Sequence, residues 1–140
     1  MCLGEIKKRQ ININIMTENE IARIVVNICI EIHRQTGPGL LEKVYEEILF
    51  HELIEAGLKV KRQQAVSILW KNHILPSAFC ADLIINEKVI LELKSVSEIQ
   101  AVHYKQLLTY LKLTNKKLGL LINFNEDYVK DGIRRVVNNL

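Results

Sequence analysis

Two acidic residues and a lysine stand close together in an otherwise apolar stretch of the sequence. Asp82 lies within the run from Phe79 to Ile85, and Glu92 and Lys94 end the apolar run that begins at Val89. Alternation along a β-strand sends Glu92 and Lys94 to the same face, roughly 6.6 Å apart. Charges in an apolar strand are destabilising unless they are paired or bind a metal. The pattern predicts a hydrolytic metal site, an edge strand or a structural ion pair.

The turn between the two runs decides whether Asp82 can reach Glu92. Asn86 and Glu87 form a connection short enough for an antiparallel hairpin. A two-residue loop there pairs Asp82 with Leu91 and sends its side chain to the face opposite Glu92. A three-residue loop or a bulge pairs Asp82 with Glu92 instead. A metal site requires this second arrangement or a splayed strand end.

The order of an aspartate, a hairpin and a Glu-x-Lys motif resembles the PD-(D/E)XK nuclease superfamily. The segment from Gly39 to Tyr45 is similar to the GxxExxY signature of one branch of that superfamily. The resemblance runs from about Ile21 to the C-terminus and takes in two further blocks, His33 to Gly39 and His103 to Leu111. It implies a restriction-endonuclease-like fold and a divalent-metal-dependent nuclease that hydrolyses phosphodiester bonds of nucleic acid.

The resemblance also implies roles for individual residues. Mg²⁺ or Mn²⁺ would be held by Asp82, Glu92 and Glu42, which fits the preference of hard cations for oxygen ligands. Lys94 would orient water or stabilise the transition state, and Gln106 would position the phosphate. The catalytic residues would then be Glu42, Asp82, Glu92, Lys94 and Gln106, and the candidate substrate-binding residues would be Tyr45, His33, His103, Arg134 and Arg135.

Several of these residues have an equally simple structural interpretation. Glu42 lies in the first turn of a predicted helix, where the helix dipole favours a carboxylate. Tyr45 could pack in the core with its hydroxyl hydrogen-bonded nearby, and His33 stands near a helix C-terminus that favours positive charge. His103 could be a surface residue, and arginines near the C-terminus often form a solvated face. These alternatives stay open at the level of sequence.

The apolar periodicity predicts one domain over residues 17–140, preceded by an N-terminal extension over residues 1–16. Its class is α/β: a sandwich with a central mixed sheet, formed by a three-strand meander plus one strand, flanked by helices. Capping boxes at Thr17 and Ser97 should begin two of the helices. The predicted helices cover 18–35, 41–56, 97–113 and a last stretch that carries Arg134 and Arg135, and the predicted strands cover 58–70, 74–85, 88–94 and 116–124.

Composition restricts the class of protein without choosing a function. The chain has 140 residues, 49% of them hydrophobic, and it contains no apolar run near the roughly 20 residues that cross a membrane. A net charge of +3 permits a polyanionic partner without requiring one. Three widely spaced cysteines argue for a reducing compartment and hence a cytoplasmic protein, with Cys29 and Cys80 expected to be buried.

Three functions are compatible with these observations. The first is a nuclease that uses Mg²⁺ or Mn²⁺ on nucleic acid, with DNA the expected substrate, no membrane partner and a homodimer permitted. The second is a non-catalytic module of the same fold that binds nucleic acid or protein. The third is a structural domain in which the charges form ion pairs, and in that case metal should not stabilise the protein.

Overall fold

Three α-helices flank a five-stranded mixed sheet in the computed structural model, which describes residues 15–140. The predicted α/β sandwich is therefore confirmed, whereas residues 1–14 of the predicted N-terminal extension lie outside the described residues. In chain order the elements are α1 (Glu18–Thr36), α2 (Glu42–Glu55), β1 (Val60–Trp70), β2 (His73–Ile85), β3 (Val89–Lys94), α3 (Ala101–Thr114), β4 (Leu118–Asn123), a 3-10 turn (Val129–Gly132) and β5 (Ile133–Val137).

The strands follow the order β1-β2-β3-β4-β5 across the sheet. The first three strands form the predicted antiparallel meander. β4 runs parallel to β3, and α3 makes the crossover between them. All six residues of β4 are buried, as expected for a central strand covered on both faces.

Alternation along the strands divides the apolar residues between two cores. One core lies between the sheet and helices α1 and α2, and it contains Leu83, Leu91 and Leu93. The other lies beneath α3 and contains Ile84, Ile90 and Leu107. Because neighbouring strand residues point to opposite faces, Asp82, Glu92 and Lys94 share the α3 side with Ile84 and Ile90.

The C-terminal segment differs from the prediction. Arg134 and Arg135 lie on β5, which pairs antiparallel with β4, and not on a helix. The reason is the β-branched character of Ile133, Val136 and Val137, which favours a strand. The sheet therefore has one strand more than predicted.

The start of α3 also differs from the prediction. The capping box is formed by Gln100 and His103, so the helix begins at Ala101 and not at Ser97. The predicted box at Thr17 is confirmed, with Glu20 as its partner. None of the helices within residues 15–140 is long and apolar enough to span a bilayer.

The two cysteines of the described chain have different environments. Cys29 is buried in the core, as predicted, and its burial raises the pKa of the thiol. Cys80 is exposed, so its predicted burial was wrong. It lies on β2 two residues before Asp82, next to the point at which β2 and β3 separate.

Candidate active site

Asp82 lies at the point where β2 and β3 separate. The turn between them contains three residues, 86–88, because Ile85 pairs with Val89 and the ladder continues to Leu83 and Leu91. The same register carried one step further places Asp82 opposite Glu92. There the strands no longer pair directly, and the Leu93 N–H donates to Asp82 Oδ2 at 2.8 Å. The turn is thus the three-residue form that a metal site requires.

Glu92 carries a buried oxygen without a partner. Its Oε1 has no hydrogen-bond partner among the described residues. The pKa of Glu92 is raised to about 8, mainly by burial and then by the negative charge of Asp82, while Lys94 opposes the shift. A buried carboxylate oxygen beside a second carboxylate is unfavourable unless a proton or a cation joins them.

A cavity of about 250 Å³ surrounds these groups between the sheet and α3. Gln106 and His103 line it from α3, one turn apart, as expected from the sequence. Tyr110, one turn beyond Gln106, also lines it; burial raises its pKa, the charge of Glu92 adds to the shift, and a hydrogen bond with Gln106 opposes it. The cavity thus gathers Cys80, Asp82, Glu92, Lys94, His103, Gln106 and Tyr110.

A second cleft, of about 710 Å³, opens from Asp82 toward α2. Glu42 lines this cleft from the first turn of α2 and is exposed. Lys43 lies beside it. Asp82 lines both spaces, whereas Glu92 lines only the cavity beneath α3. The structure therefore brings Asp82, Glu92, Lys94, His103 and Gln106 together and leaves Glu42 in the adjoining cleft.

Gln63 links Asp82 to a buried carboxylate on α2. Its side-chain amide donates to Asp82 Oδ1 at 3.3 Å and, in a short contact, to Glu46. Glu46 also accepts from Arg62 Nε at 3.0 Å. The amide oxygen of Gln63 accepts from Cys80 Sγ at 3.4 Å. Both oxygens of Asp82 are thereby held, one by Gln63 and one by the backbone of Leu93.

Sequence reasoning did not identify Gln63, Glu46 or Tyr110. Helical spacing could have indicated two of them. Glu46 is four residues after Glu42, and Tyr110 is four residues after Gln106, so each shares a helix face with a predicted site residue. No sequence pattern indicates Gln63, because its role depends on a backbone φ of 48°, in the left-handed region that a glutamine rarely adopts.

Tyr45 and His33 are buried residues whose contacts hold the backbone next to the site in place. Tyr45 is fully buried, its ring stacks on Phe124, and its hydroxyl donates to the Gly37 carbonyl at 2.5 Å. His33 is buried too, with Nε2 donating to the Phe124 carbonyl at 3.1 Å. Phe124 N–H in turn donates to the Lys94 carbonyl at 2.9 Å. These contacts fix the loop after α1 and the ends of the two parallel strands.

The two arginines of β5 lie two strands away from β3. Arg135 donates to Asn19 at the start of α1 at 2.7 Å, and Arg134 donates to the carbonyl of its neighbour Ile133 at 3.1 Å. Neither of them lines the cavity beneath α3 or the cleft beside α2. The structure does not bring them to the site.

The donor set for a metal consists of two carboxylates and the backbone. Across residues 15–140, no group of three His, Cys, Asp or Glu side chains is placed to hold an ion by itself. Asp82 and Glu92 provide hard oxygen ligands, and Mg²⁺ commonly uses only one or two carboxylates, completing its shell with water and phosphate oxygens. The unpartnered Oε1 of Glu92 fits such an ion, because a cation would compensate its burial.

The chain is similar to a known protein family and to a solved structure. The family model that matches residues 19–136 is described as the PD-(D/E)XK nuclease superfamily. No curated protein sequence matches the chain. Among solved structures, the chain is similar to an alkaline exonuclease (LHK-Exo) from Laribacter hongkongensis, with 14% identity, a TM-score of 0.46, and coverage of 90% of this chain and 74% of that one.

Proposed function

Because this chain belongs to the PD-(D/E)XK nuclease superfamily, we propose that it is a divalent-metal-dependent nuclease that hydrolyses phosphodiester bonds of nucleic acid. The observation that carries this proposal is the buried, unpartnered Glu92 Oε1 beside Asp82, with Lys94 in the same cavity. A buried carboxylate oxygen that lacks a hydrogen-bond partner, next to a second carboxylate, is suited to receive a cation. The expected substrate is DNA.

Nucleases of this superfamily generally use divalent metals. In this chain Asp82 and Glu92 would hold the ion, with the Leu93 carbonyl as a third ligand and Glu42 contributing directly or through water. Mg²⁺ or Mn²⁺ fits these oxygen donors. Once bound, the ion would supply Lewis acidity at the scissile phosphate.

The other side chains of the site act on substrate and solvent. Lys94 carries positive charge on the same strand face as Glu92, where it would stabilise negative charge that develops on the phosphate. Gln106 would position a phosphate oxygen or the attacking water through its amide. Gln63 and the Leu93 N–H hold Asp82 in a single orientation, which lowers the reorganisation needed when substrate binds.

We further assign the chain to the GxxExxY branch, because Gly39, Glu42 and Tyr45 occupy the signature positions. The exposed free thiol of Cys80 is consistent with a reducing, cytoplasmic compartment. A homodimer is compatible with the chain.

The decisive test compares cleavage of single-stranded, duplex and branched DNA and of RNA, with Mg²⁺, Mn²⁺ or EDTA. Asp82→Asn and Lys94→Ala should each lower cleavage by at least about 100-fold, the usual effect of removing a group that stabilises the transition state. Glu55→Gln and Lys112→Ala are matched controls, because these side chains are exposed and outside the site, and they should cleave like wild type.

Two outcomes would contradict the proposal. Cleavage that persists in EDTA, or that Asp82→Asn leaves intact, would show that another site or a contaminant is responsible. Nucleic-acid binding without cleavage under every condition would favour a non-catalytic module of the same fold.

A further inference from the structure

β1 and β2 continue beyond the end of β3 as a two-stranded arm, residues 67–78. The paired part of β2 and β3 ends at Leu83 and Leu91. Extending that register by three residues would set Cys80 level with Lys94, the last residue of β3, so the part of β2 before Cys80 extends past that strand. At the tip Trp70 pairs with His73. The arm therefore leaves the sheet at the same edge as the candidate active site.

The root of the arm is anchored on α3. Phe79 is buried and stacks on Tyr110, with ring centroids 3.8 Å apart. Tyr110 also lines the cavity that holds Glu92 and Lys94. Tyr110 thus contacts the root of the arm and also lines the candidate active site, so the arm and the site are adjacent.

The outer part of the arm exposes large apolar side chains. Every residue from Leu69 to Ala78 is exposed. Trp70 is 60% exposed, and the exposed fractions of Leu69, Ile74 and Leu75 are 65%, 72% and 46%. Leu69 pairs with Ile74 on one face of the arm, and Trp70 and Leu75 lie on the other face. Exposed apolar side chains on both faces are typical of a segment that binds a partner.

The charge of the arm favours a polyanion as its partner. Residues 63–81 contain no aspartate or glutamate, although the whole chain has 16 acidic residues. Lys71 lies at the tip, with Nζ 5.6 Å from the centroid of the Trp70 ring, and His73 lies next to it. A second copy docked tip to tip would bring Lys71 against its own counterpart, which is unfavourable. An aromatic ring beside a cation is the combination that stacks on bases and contacts phosphates.

We propose that the arm binds the single-stranded part of a nucleic-acid substrate, with Trp70 stacked on an unpaired base and Lys71 beside a phosphate. This inference rests on the proposed nuclease function, since it assigns a substrate form to that site. From Cys80 to His73 the strand spans roughly 20 Å, allowing for the irregularity near Ser77. That length corresponds to about six nucleotides of stacked strand, so Trp70 contacts the substrate well away from the cleaved bond.

Trp70 provides a direct test because it is the only tryptophan in the chain. Its emission should change saturably when Asp82→Asn protein in EDTA is titrated with an oligothymidylate of about 20 nucleotides. The change should be much weaker with a blunt duplex of equal length, and oligomers shorter than about six nucleotides should lose it. Binding is followed independently by the fluorescence anisotropy of a labelled oligomer.

Substitution completes the test. Trp70→Ala should weaken binding of the single strand by about five- to 160-fold, the range expected for one base stacked on an aromatic ring. Tyr128→Ala, which removes another exposed aromatic residue, should bind like the parent. Thermal melts confirm that both variants are folded, which is expected because both residues are exposed.

Four results would overturn the inference: absence of oligomer binding, binding without a change in Trp70 emission, unchanged affinity in Trp70→Ala, or an emission shift produced by concentrating the protein alone, which would indicate a second copy as the occupant. Cleavage by wild type separates this inference from the nuclease proposal. Emission changes without cleavage contradict only the nuclease, and cleavage without emission changes contradicts only the arm.

Discussion

Replacing Glu92 with glutamine should stabilise the metal-free protein at neutral and alkaline pH. The folded state raises the pKa of Glu92 from 4.5 to about 8, mainly by burial. Below pH 4.5 the carboxyl is protonated in both the folded and unfolded states, so the raised pKa has no effect on stability. Between pH 4.5 and 8 the unfolded chain releases this proton and the folded chain retains it, so the free energy of unfolding falls as pH rises.

The size of the effect follows from the same values. Each tenfold difference in proton affinity corresponds to about 1.4 kcal/mol. The penalty at pH 7 is therefore about 3 kcal/mol, and it levels off near about 5 kcal/mol above pH 8. Glutamine keeps the shape of the protonated side chain and can donate to Asp82, but it has no proton to lose. Glu92→Gln should match wild type at pH 4.5 and exceed it by these amounts at higher pH.

The assay is urea unfolding followed by far-ultraviolet circular dichroism in EDTA at pH 4.5, 7 and 8.5, with Glu55→Gln as the control for charge removal at an exposed site. Mg²⁺ should then narrow the difference between Glu92→Gln and wild type, because only wild type keeps both carboxylates. Metal at 100 times its dissociation constant would add about 2.7 kcal/mol to wild type. A difference between wild type and Glu92→Gln that stays constant with pH would refute the assigned burial, and equal stabilisation of both by Mg²⁺ would refute the metal site.

Three further substitutions test the surroundings of the site. Gln63→Leu should weaken Mn²⁺ binding, followed by electron paramagnetic resonance, by about tenfold through loss of a hydrogen bond to a charged group, whereas Gln64→Leu should not; equal affinities would contradict the positioning role. Asn123→Ala should lower the free energy of unfolding by about 3 kcal/mol, because the buried amide donates to the Val96 carbonyl and accepts from the Val96 N–H; urea unfolding measures this, and a loss under about 1 kcal/mol would be inconsistent with those bonds. Gly132→Ala should lower it by at least about 1 kcal/mol, because a Cβ there would stand 2.4 Å from the Asn123 carbonyl oxygen; an unchanged melting temperature would contradict that close approach.

The elements with long apolar periods were the ones that sequence predicted well. α1 has a capping box and a buried stripe that repeats every three to four residues, and β4 is apolar throughout. The two errors in the assignment of helices and strands arose where local signals were ambiguous. Ser97 and Gln100 satisfy the capping-box pattern, but Gln100 and His103 form the box that the structure uses. Arg134 and Arg135 interrupt a short β-branched run that is a strand only because β4 offers it an open edge.

Part of the candidate site could also be predicted from the spacing of residues along the sequence. The spacing of Glu92 and Lys94 fixes their common face on any strand. The placement of Asp82 depended on one residue in the turn, and Asn86 and Glu87 both adopt positive φ angles of 50° and 58° to make the longer loop. The sequence allows both a two-residue and a three-residue turn here and does not select one of them. Gln63 was beyond sequence reasoning, because its contacts depend on a left-handed backbone conformation.

The environment of Glu92 differs from that of the ion pairs elsewhere in the part of the chain that the structure describes. Elsewhere in residues 15–140, acidic and basic side chains form direct ion pairs, as Glu87 does with Lys61 and Glu46 does with Arg62. At Glu92 a carboxylate oxygen stays buried without a partner although Lys94 is two residues away. An ion pair that served only stability would join these two side chains and lower the pKa of the acid. The site instead places the Glu92 carboxyl beside Asp82, so that the metal-free protein keeps a proton on Glu92 up to about pH 8, and we expect a bound cation to replace that proton.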